Sequence, residues 1–338
     1  MATGVAYTDD AALGAAIRSR AVPRCSLCSA RGELLYESQE DRLFGAPGSW
    51  SFRKCPNPDC GLLWLDPMPV EPDIGKAYLN YYTHQEQVAE RLGLKDKLVA
   101  VWRRLVVPTV SFISMAGWQR KKLFLMYLQG EQAGRALEVG CGDGTRLARL
   151  HEMGWEVWGQ DVDPKAVECA RGRFGLDARL GPLENCGFPE MFFDRVLLNH
   201  VVEHVYDPVA LLKTCRSLLK SGGQIVLVTP NSQGTSHRRF GKSWRGLEPP
   251  RHIFIYSPKT LAEVAKRAGL RVERSWTTAA NAGEVAFASL ILRNKNKPFT
   301  LPQKLMRVVD IVLFQYYSSL KNIVDRESGE ECVLRLTR

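Results

Sequence analysis

Leu137-Glu-Val-Gly-Cys-Gly-Asp-Gly-Thr145 is the stretch on which the fold turns. An apolar, strand-like run leads into it and a helix-like segment leads out. Gly140, Gly142 and Gly144 strip side chains from the turn between the two. The backbone can then approach a ligand closely, and the N–H groups of the next helix point at it. The spacing is G-x-G-x-G, with Glu138 just ahead, rather than the G-x-G-x-x-G of a dinucleotide site. About 20 residues on, a second apolar run ends at Asp161, where a carboxylate can accept both hydroxyls of a ribose. The pair points to a nucleoside ligand smaller than a dinucleotide.

Outward from this turn, short apolar runs alternate with helix-like segments: Ala136-Leu-Glu-Val-Gly140, Glu156-Val-Trp-Gly-Gln-Asp161, Val196-Leu-Leu-Asn199 and Gln224-Ile-Val-Leu-Val-Thr229. Such alternation predicts βαβ units and a parallel sheet. A further strand is expected at residues 271–277 and a last one at residues 331–338. The segment between them reads as a helical insertion, residues 284–330.

The run E-V-G-C-G-D-G, with Gln160-Asp161-Val162-Asp163 closing the next strand, resembles motifs I and II of the class I S-adenosylmethionine-dependent methyltransferases. The resemblance spans roughly residues 133–338. It implies an α/β fold with a Rossmann-like, seven-stranded sheet and S-adenosylmethionine as cofactor. It also implies that Glu138 and the turn at Gly140, Gly142 and Gly144 face the methionine end. Asp161 would bind the ribose, Val162 would pack on adenine, and Asn199 would lie near the cofactor amino group. Where many relatives carry an Asp after the third strand, this chain has Gly181-Pro-Leu-Glu184, leaving Glu184 or main chain for the adenine amino group.

Cys25-Ser-Leu-Cys28 and Cys55-Pro-Asn-Pro-Asp-Cys60 form two knuckles that can bring four thiolates into one tetrahedron around zinc. A four-thiolate shell has no open position, so Cys25, Cys28, Cys55 and Cys60 are assigned a structural ion rather than a catalytic one. The knuckles and the following Gly-Leu-Leu-Trp-Leu-Asp-Pro-Met-Pro resemble the N-terminal ribbon of bacterial methyltransferases of glycan, sugar and natural-product biosynthesis. The nine cysteines, an odd number with five of them scattered outside the two knuckles, fit a reduced compartment with one metal site better than a disulfide framework.

In open α/β sheets ligands bind beyond the carboxyl ends of the strands, which selects Asn199-His-Val-Val-Glu-His204 and the segment 230–252. Methyl transfer to a hydroxyl needs a general base near neutrality, a role that suits histidine, with His252 first and His200 and His204 behind it. His200, Glu203, His204 and His252 could also gather a second divalent metal that orients the hydroxyl. The small-RNA 2′-O-methyltransferases have a similar arrangement, with Glu in place of His200. Against that stands a plain structural role for Glu203-His204 capping the next helix. The loop 235–252 mixes cations with Phe240 and Trp244, a composition able to grip phosphate and stack on a ring.

Four regions are expected: a weakly ordered arm at 1–24, a small zinc-ribbon β domain at 25–70, a basic helical connector and lid at 71–132, and the catalytic domain at 133–338. With 338 residues, 45% of them hydrophobic, the chain is no disordered or fibrous protein. The net charge of +10 suggests an anionic partner. Basic residues around Trp102 and Phe112, with the run 305–317, admit either contact with an anionic lipid surface or a cap over the site. The first 20 residues lack the apolar core of a secretory signal, so the expected location is the cytoplasm, with peripheral contact at the inner membrane face. The function expected is O-methylation of a sugar hydroxyl in a glycan, glycolipid or natural product, the acceptor phosphorylated or lipid-linked. A phenolic or quinone-like acceptor is the alternative. An RNA-binding zinc protein or RNA methyltransferase is a third, though the knuckles lack basic-aromatic RNA motifs, so nucleic acid is the least expected partner.

Overall fold

The computed structural model describes residues 16–79, 116–295 and 300–338. Five short strands open the chain: β1 (Ser19–Arg20), β2 (Glu33–Gln39), β3 (Trp50–Lys54), β4 (Leu63–Leu65) and β5 (Met68–Pro69). Helix α1 (Ala116–Phe124) follows. Then come β6 (Arg135–Val139), α2 (Thr145–Glu152), β7 (Glu156–Asp161), α3 (Pro164–Phe174), β8 (Asp177–Leu180), β9 (Phe193–Asn199), α4 (Pro208–Leu218) and β10 (Leu219–Pro230). The last third holds α5 (Thr235–Phe240), β11 (Phe254–Ile255), α6 (Pro258–Arg267), β12 (Arg271–Thr278), α7 (Ala282–Arg293), α8 (Leu301–Val324) and β13 (Glu331–Thr337).

Helix ends follow local chemistry. Asp163 caps α3 by accepting from the Lys165 amide, Pro164 starts the helix, and Gly175 ends it at φ 66°. Ser257 and Thr260 close a reciprocal capping box on α6, with Pro258 in its first turn.

Seven strands form one sheet in the order β12-β13-β10-β9-β6-β7-β8. Strands β6 to β10 run parallel, as expected, but β13 is antiparallel to both β10 and β12, so the sheet is mixed. That reversal brings Glu331, at the start of β13, opposite Pro230 at the end of β10. Carboxyl ends of the parallel strands and the amino end of β13 therefore share one edge.

The second sheet crosses the expected domain boundary. Its order is β11-β4-β3-β2, and Phe254 and Ile255 pair with Trp64 and Leu63. One apolar core runs from Cys25, Trp50 and Phe52 through Trp244 and Tyr256 to Leu334. The expected arm at 1–24 is also ordered where it is described: β1 pairs with β5, Ile17 is buried, and the Arg18 guanidinium grips Asp73 at 2.9 Å. Residues 1–15 and most of the connector, 80–115, including Trp102 and Phe112, lie outside the described residues. The expected insertion is helical, formed by α7 and α8.

Candidate active site

The glycine turn sits at the carboxyl end of β6. Gly140, Gly142 and Gly144 all have positive φ, at 68°, 56° and 78°. A Cβ at Gly140 would stand 2.6 Å from the Val201 side chain, and one at Gly144 2.8 Å from Ala170, so side chains are excluded at both. At Gly142 an added Cβ would meet nothing within 4 Å, so the turn faces open space. Asp161 holds the turn: its carboxylate accepts the Gly142 amide at 2.8 Å and the Asp163 amide at 2.9 Å. Gln160, which the sequence did not single out, reaches the Gly140 amide with its carbonyl and donates to the Gly181 carbonyl.

Glu138 is buried, paired through one oxygen with Arg146, while its Oε2 has no hydrogen-bond partner among the described residues. Burial pushes its carboxyl pKa up, against the pull of Arg146. Burial also raises Asp161, outweighing the amides that favour its charge. Val162 is 69% exposed and Glu184 is exposed on a short turn after β8, so both stand at the open rim. Asn199 ends β9, half-buried.

His200 follows in a left-handed conformation at φ 56°. Its Nδ1 lies 3.2 Å from Glu203 and its Nε2 3.3 Å from Glu331. Burial pulls the imidazole down, but the two carboxylates outweigh it and hold the pKa up at about 10. Held charged between two carboxylates, the ring carries a proton on each nitrogen and has no lone pair to act as a base. This corrects the expected base role of His200. Glu331, missed in the sequence, also accepts from the Asn281 amide at 3.1 Å, and its buried Oε2 has no hydrogen-bond partner among the described residues.

His204 and His252 lie behind this pair, their rings 4.7 Å apart. Nδ1 of His204 donates to the Arg251 carbonyl at 3.1 Å, and Nδ1 of His252 to the Gly246 carbonyl at 2.8 Å. Among the described residues neither Nε2 has a hydrogen bond, and that of His252 lies 3.7 Å from the Glu248 carboxylate. One ligand atom each from Glu203, His204 and His252 fall within 4.8 Å of one another. Contrary to the expected four-residue set, His200 does not join this group. Burial brings the His252 pKa down to about 4. With its Nδ1–H spent on the Gly246 carbonyl and its Nε2 beside the buried Glu248 carboxylate, the ring is committed to this cluster rather than to the base role expected of it.

The loop 235–252 is not a solvent-facing grip. Trp244 and Phe240 are buried, and Trp244 stacks on His237 at 4.6 Å. Arg251 is wholly buried between Asp41 and Glu248, each at 2.9 Å, and donates to the Ala77 carbonyl at 2.7 Å. These side chains join the N-terminal sheet to the catalytic sheet, so neither ring is free to stack on a substrate.

The four cysteines do converge. Sγ of Cys25 lies 3.6 Å from Cys60, and Sγ of Cys28 3.3 Å from Cys55. All four sulfurs fall within 4.8 Å of one another, and none is in a disulfide. The Leu27 amide donates to Cys25 Sγ at 3.4 Å. Bonds of about 2.3 Å to a central zinc put sulfurs nearly 4 Å apart, close to what is seen.

A family model described as a methyltransferase domain matches residues 115–275. That span holds the glycine turn, Asp161, the 199–204 segment and His252, but neither the four knuckle cysteines nor Glu331. A ubiquinone biosynthesis O-methyltransferase of Cereibacter sphaeroides is 34% identical over 147 residues, covering 40% of this chain and 60% of the relative. One from Xanthomonas axonopodis pv. citri is 36% identical over 156 residues, covering 42% of this chain and 65% of the relative. The chain thus spans less than two thirds of the length of these curated relatives. A crystal structure of an S-adenosylmethionine dependent methyltransferase from Mesorhizobium loti overlaps 66% of this chain and 98% of its own, with a TM-score of 0.44 and 17% identity.

Proposed function

We propose, from the premise that residues 115–275 are a methyltransferase domain, that the chain methylates a hydroxyl oxygen using S-adenosylmethionine. The observation that carries this reading is the edge shared by the open glycine turn, the orphaned Glu138 oxygen and the His200–Glu331 pair. The residues suit the cofactor: Asp161 for the ribose, the turn at Gly142 for the methionine end, and Glu138 Oε2 as an acceptor for its amino group. When bound, the cofactor supplies an electrophilic methyl group whose in-line transfer leaves a neutral thioether. Glu331 takes the hydroxyl proton on its free oxygen. His200, charged between two carboxylates, holds Glu331 in place.

For the acceptor, the names of the relatives favour a phenolic or quinone-like hydroxyl over the sugar hydroxyl expected first. The zinc reading of the four cysteines is retained, supported by their sulfur spacing. Calorimetry tests the cofactor: wild type should bind S-adenosylmethionine and Asp161→Ala should weaken it by tenfold or more, roughly the worth of one charge-assisted hydrogen bond. Absence of binding by wild type would sink the proposal. An acceptor screen with labelled cofactor should show turnover lost in Glu331→Gln while cofactor affinity stays.

A second cation at Glu203, His204 and His252 is proposed on a specific ground. Three acceptors converge there, two of them imidazoles whose Nδ1–H groups are fixed by backbone carbonyls, the orientation that readies Nε2 for a metal. Cobalt titrated into zinc-loaded protein should give a visible spectrum that His252→Ala abolishes. A silent titration would remove the site.

A further inference from the structure

We infer that α8 lays its outward face on an anionic lipid surface. Phe314, Gln315, Ser318 and Ser319 turn this helix to the protein and are buried. On the opposite side Met306, Val309, Leu313, Tyr316, Leu320 and Ile323 are each between 42% and 71% exposed. Their steps of three and four residues draw one apolar stripe about 25 Å long, with no charge in it. Soluble monomers rarely leave so continuous an apolar strip to water.

Charge selects the occupant. Between Glu284 and Asp310 the sequence has no acidic residue, yet it holds Arg293, Lys295, Lys297, Lys304 and Arg307. A positive segment thus leads into the exposed stripe, the pairing of cations and apolar face that suits anionic headgroups above acyl chains. Tyr316 and Tyr317, both exposed, add rings that sit well at headgroup depth. Among the described residues no helix is long and apolar enough to cross a membrane, so contact would be lateral.

The face is tied to the catalytic edge. Gln315 of α8 accepts the Gly283 amide at 2.9 Å and donates to the Ala279 carbonyl at 2.8 Å. Between those two residues Asn281 bonds Glu331. Lipid contact on α8 is therefore one helix away from the acceptor site, whatever the acceptor is.

Flotation of the full chain with vesicles tests this. The protein should rise with phosphatidylcholine vesicles containing phosphatidylglycerol and stay down with phosphatidylcholine alone. Salt at about 0.5 M should release it. Leu313→Glu with Leu320→Glu should cut the floating fraction by roughly tenfold or more, and Lys295→Glu should reduce it less. Because these side chains are exposed, melting temperature and S-adenosylmethionine binding should stay at wild-type values and report an intact fold. Failure to float on anionic vesicles overturns the inference. In that case a sedimenting dimer that the double variant dissociates would assign the stripe to a second copy.

Discussion

Glu331 and His200 stand 131 positions apart in the chain, yet their side chains meet at 3.3 Å. The glycine turn and Asp161 were legible because their spacing is local and a strand–turn–helix unit sets it. Glu331 was hidden because only the antiparallel entry of β13 brings it to the catalytic edge, and nothing near it in sequence marks that reversal. Its neighbour Glu330 shows a second effect of that edge. Both Glu330 oxygens accept the Ser236 amide, and burial pushes the carboxyl pKa up to about 8 from an ordinary 4.5. Between those values the folded chain holds a proton that the unfolded chain has lost. Stability from this group is therefore full below the lower value and falls as pH rises through the higher one, at up to about 1.4 kcal/mol per unit. Urea midpoints measured at pH 5 and pH 8 should show this fall in wild type and a shallower one in Glu330→Gln. Equal slopes would place the dependence on another group.

At the scale of elements, the short strand β11 and the turns before it decide how the N-terminal sheet meets the catalytic one. The sequence marked 235–252 as a ligand-gripping loop because cations and aromatics alternate there. What it could not show is that Asp41 and Glu248 supply the counter-charges, because Asp41 lies 210 positions away from Arg251. The Arg251 guanidinium, lying also over the Phe44 ring at 4.5 Å, is a buried ion cluster rather than a ligand site. Removing one partner from such a cluster strands the remaining charges in a dry interior. Arg251→Ala should therefore cost about 3–5 kcal/mol of stability, read as a lowered denaturant midpoint. A loss under about 1 kcal/mol, the usual worth of an exposed pair, would mean that water reaches the cluster.

At the scale of the molecule, the parallel core of the sheet followed from the alternation of apolar runs and its seven strands from the family resemblance, but the sequence did not show that the second sheet crosses the boundary expected near residue 70. The reason is physical: Leu63 and Trp64 find their strand partners at Ile255 and Phe254, and long-range pairing of this kind leaves no periodicity in the sequence. The shared sheet and continuous core make the four cysteines a support for the whole chain. If they hold zinc, its removal leaves four thiols crowded in a half-buried site whose strands also carry β11. The loss should then propagate through Trp64, Tyr256 and Arg251 to the catalytic edge rather than stop at residue 70. Calorimetric melting should give one transition in the zinc-loaded protein. With a strong chelator a single transition should appear at lower temperature, accompanied by weaker S-adenosylmethionine binding. A chelated sample that melted in two steps, keeping its cofactor through the first, would show instead that the N-terminal sheet is an independent unit.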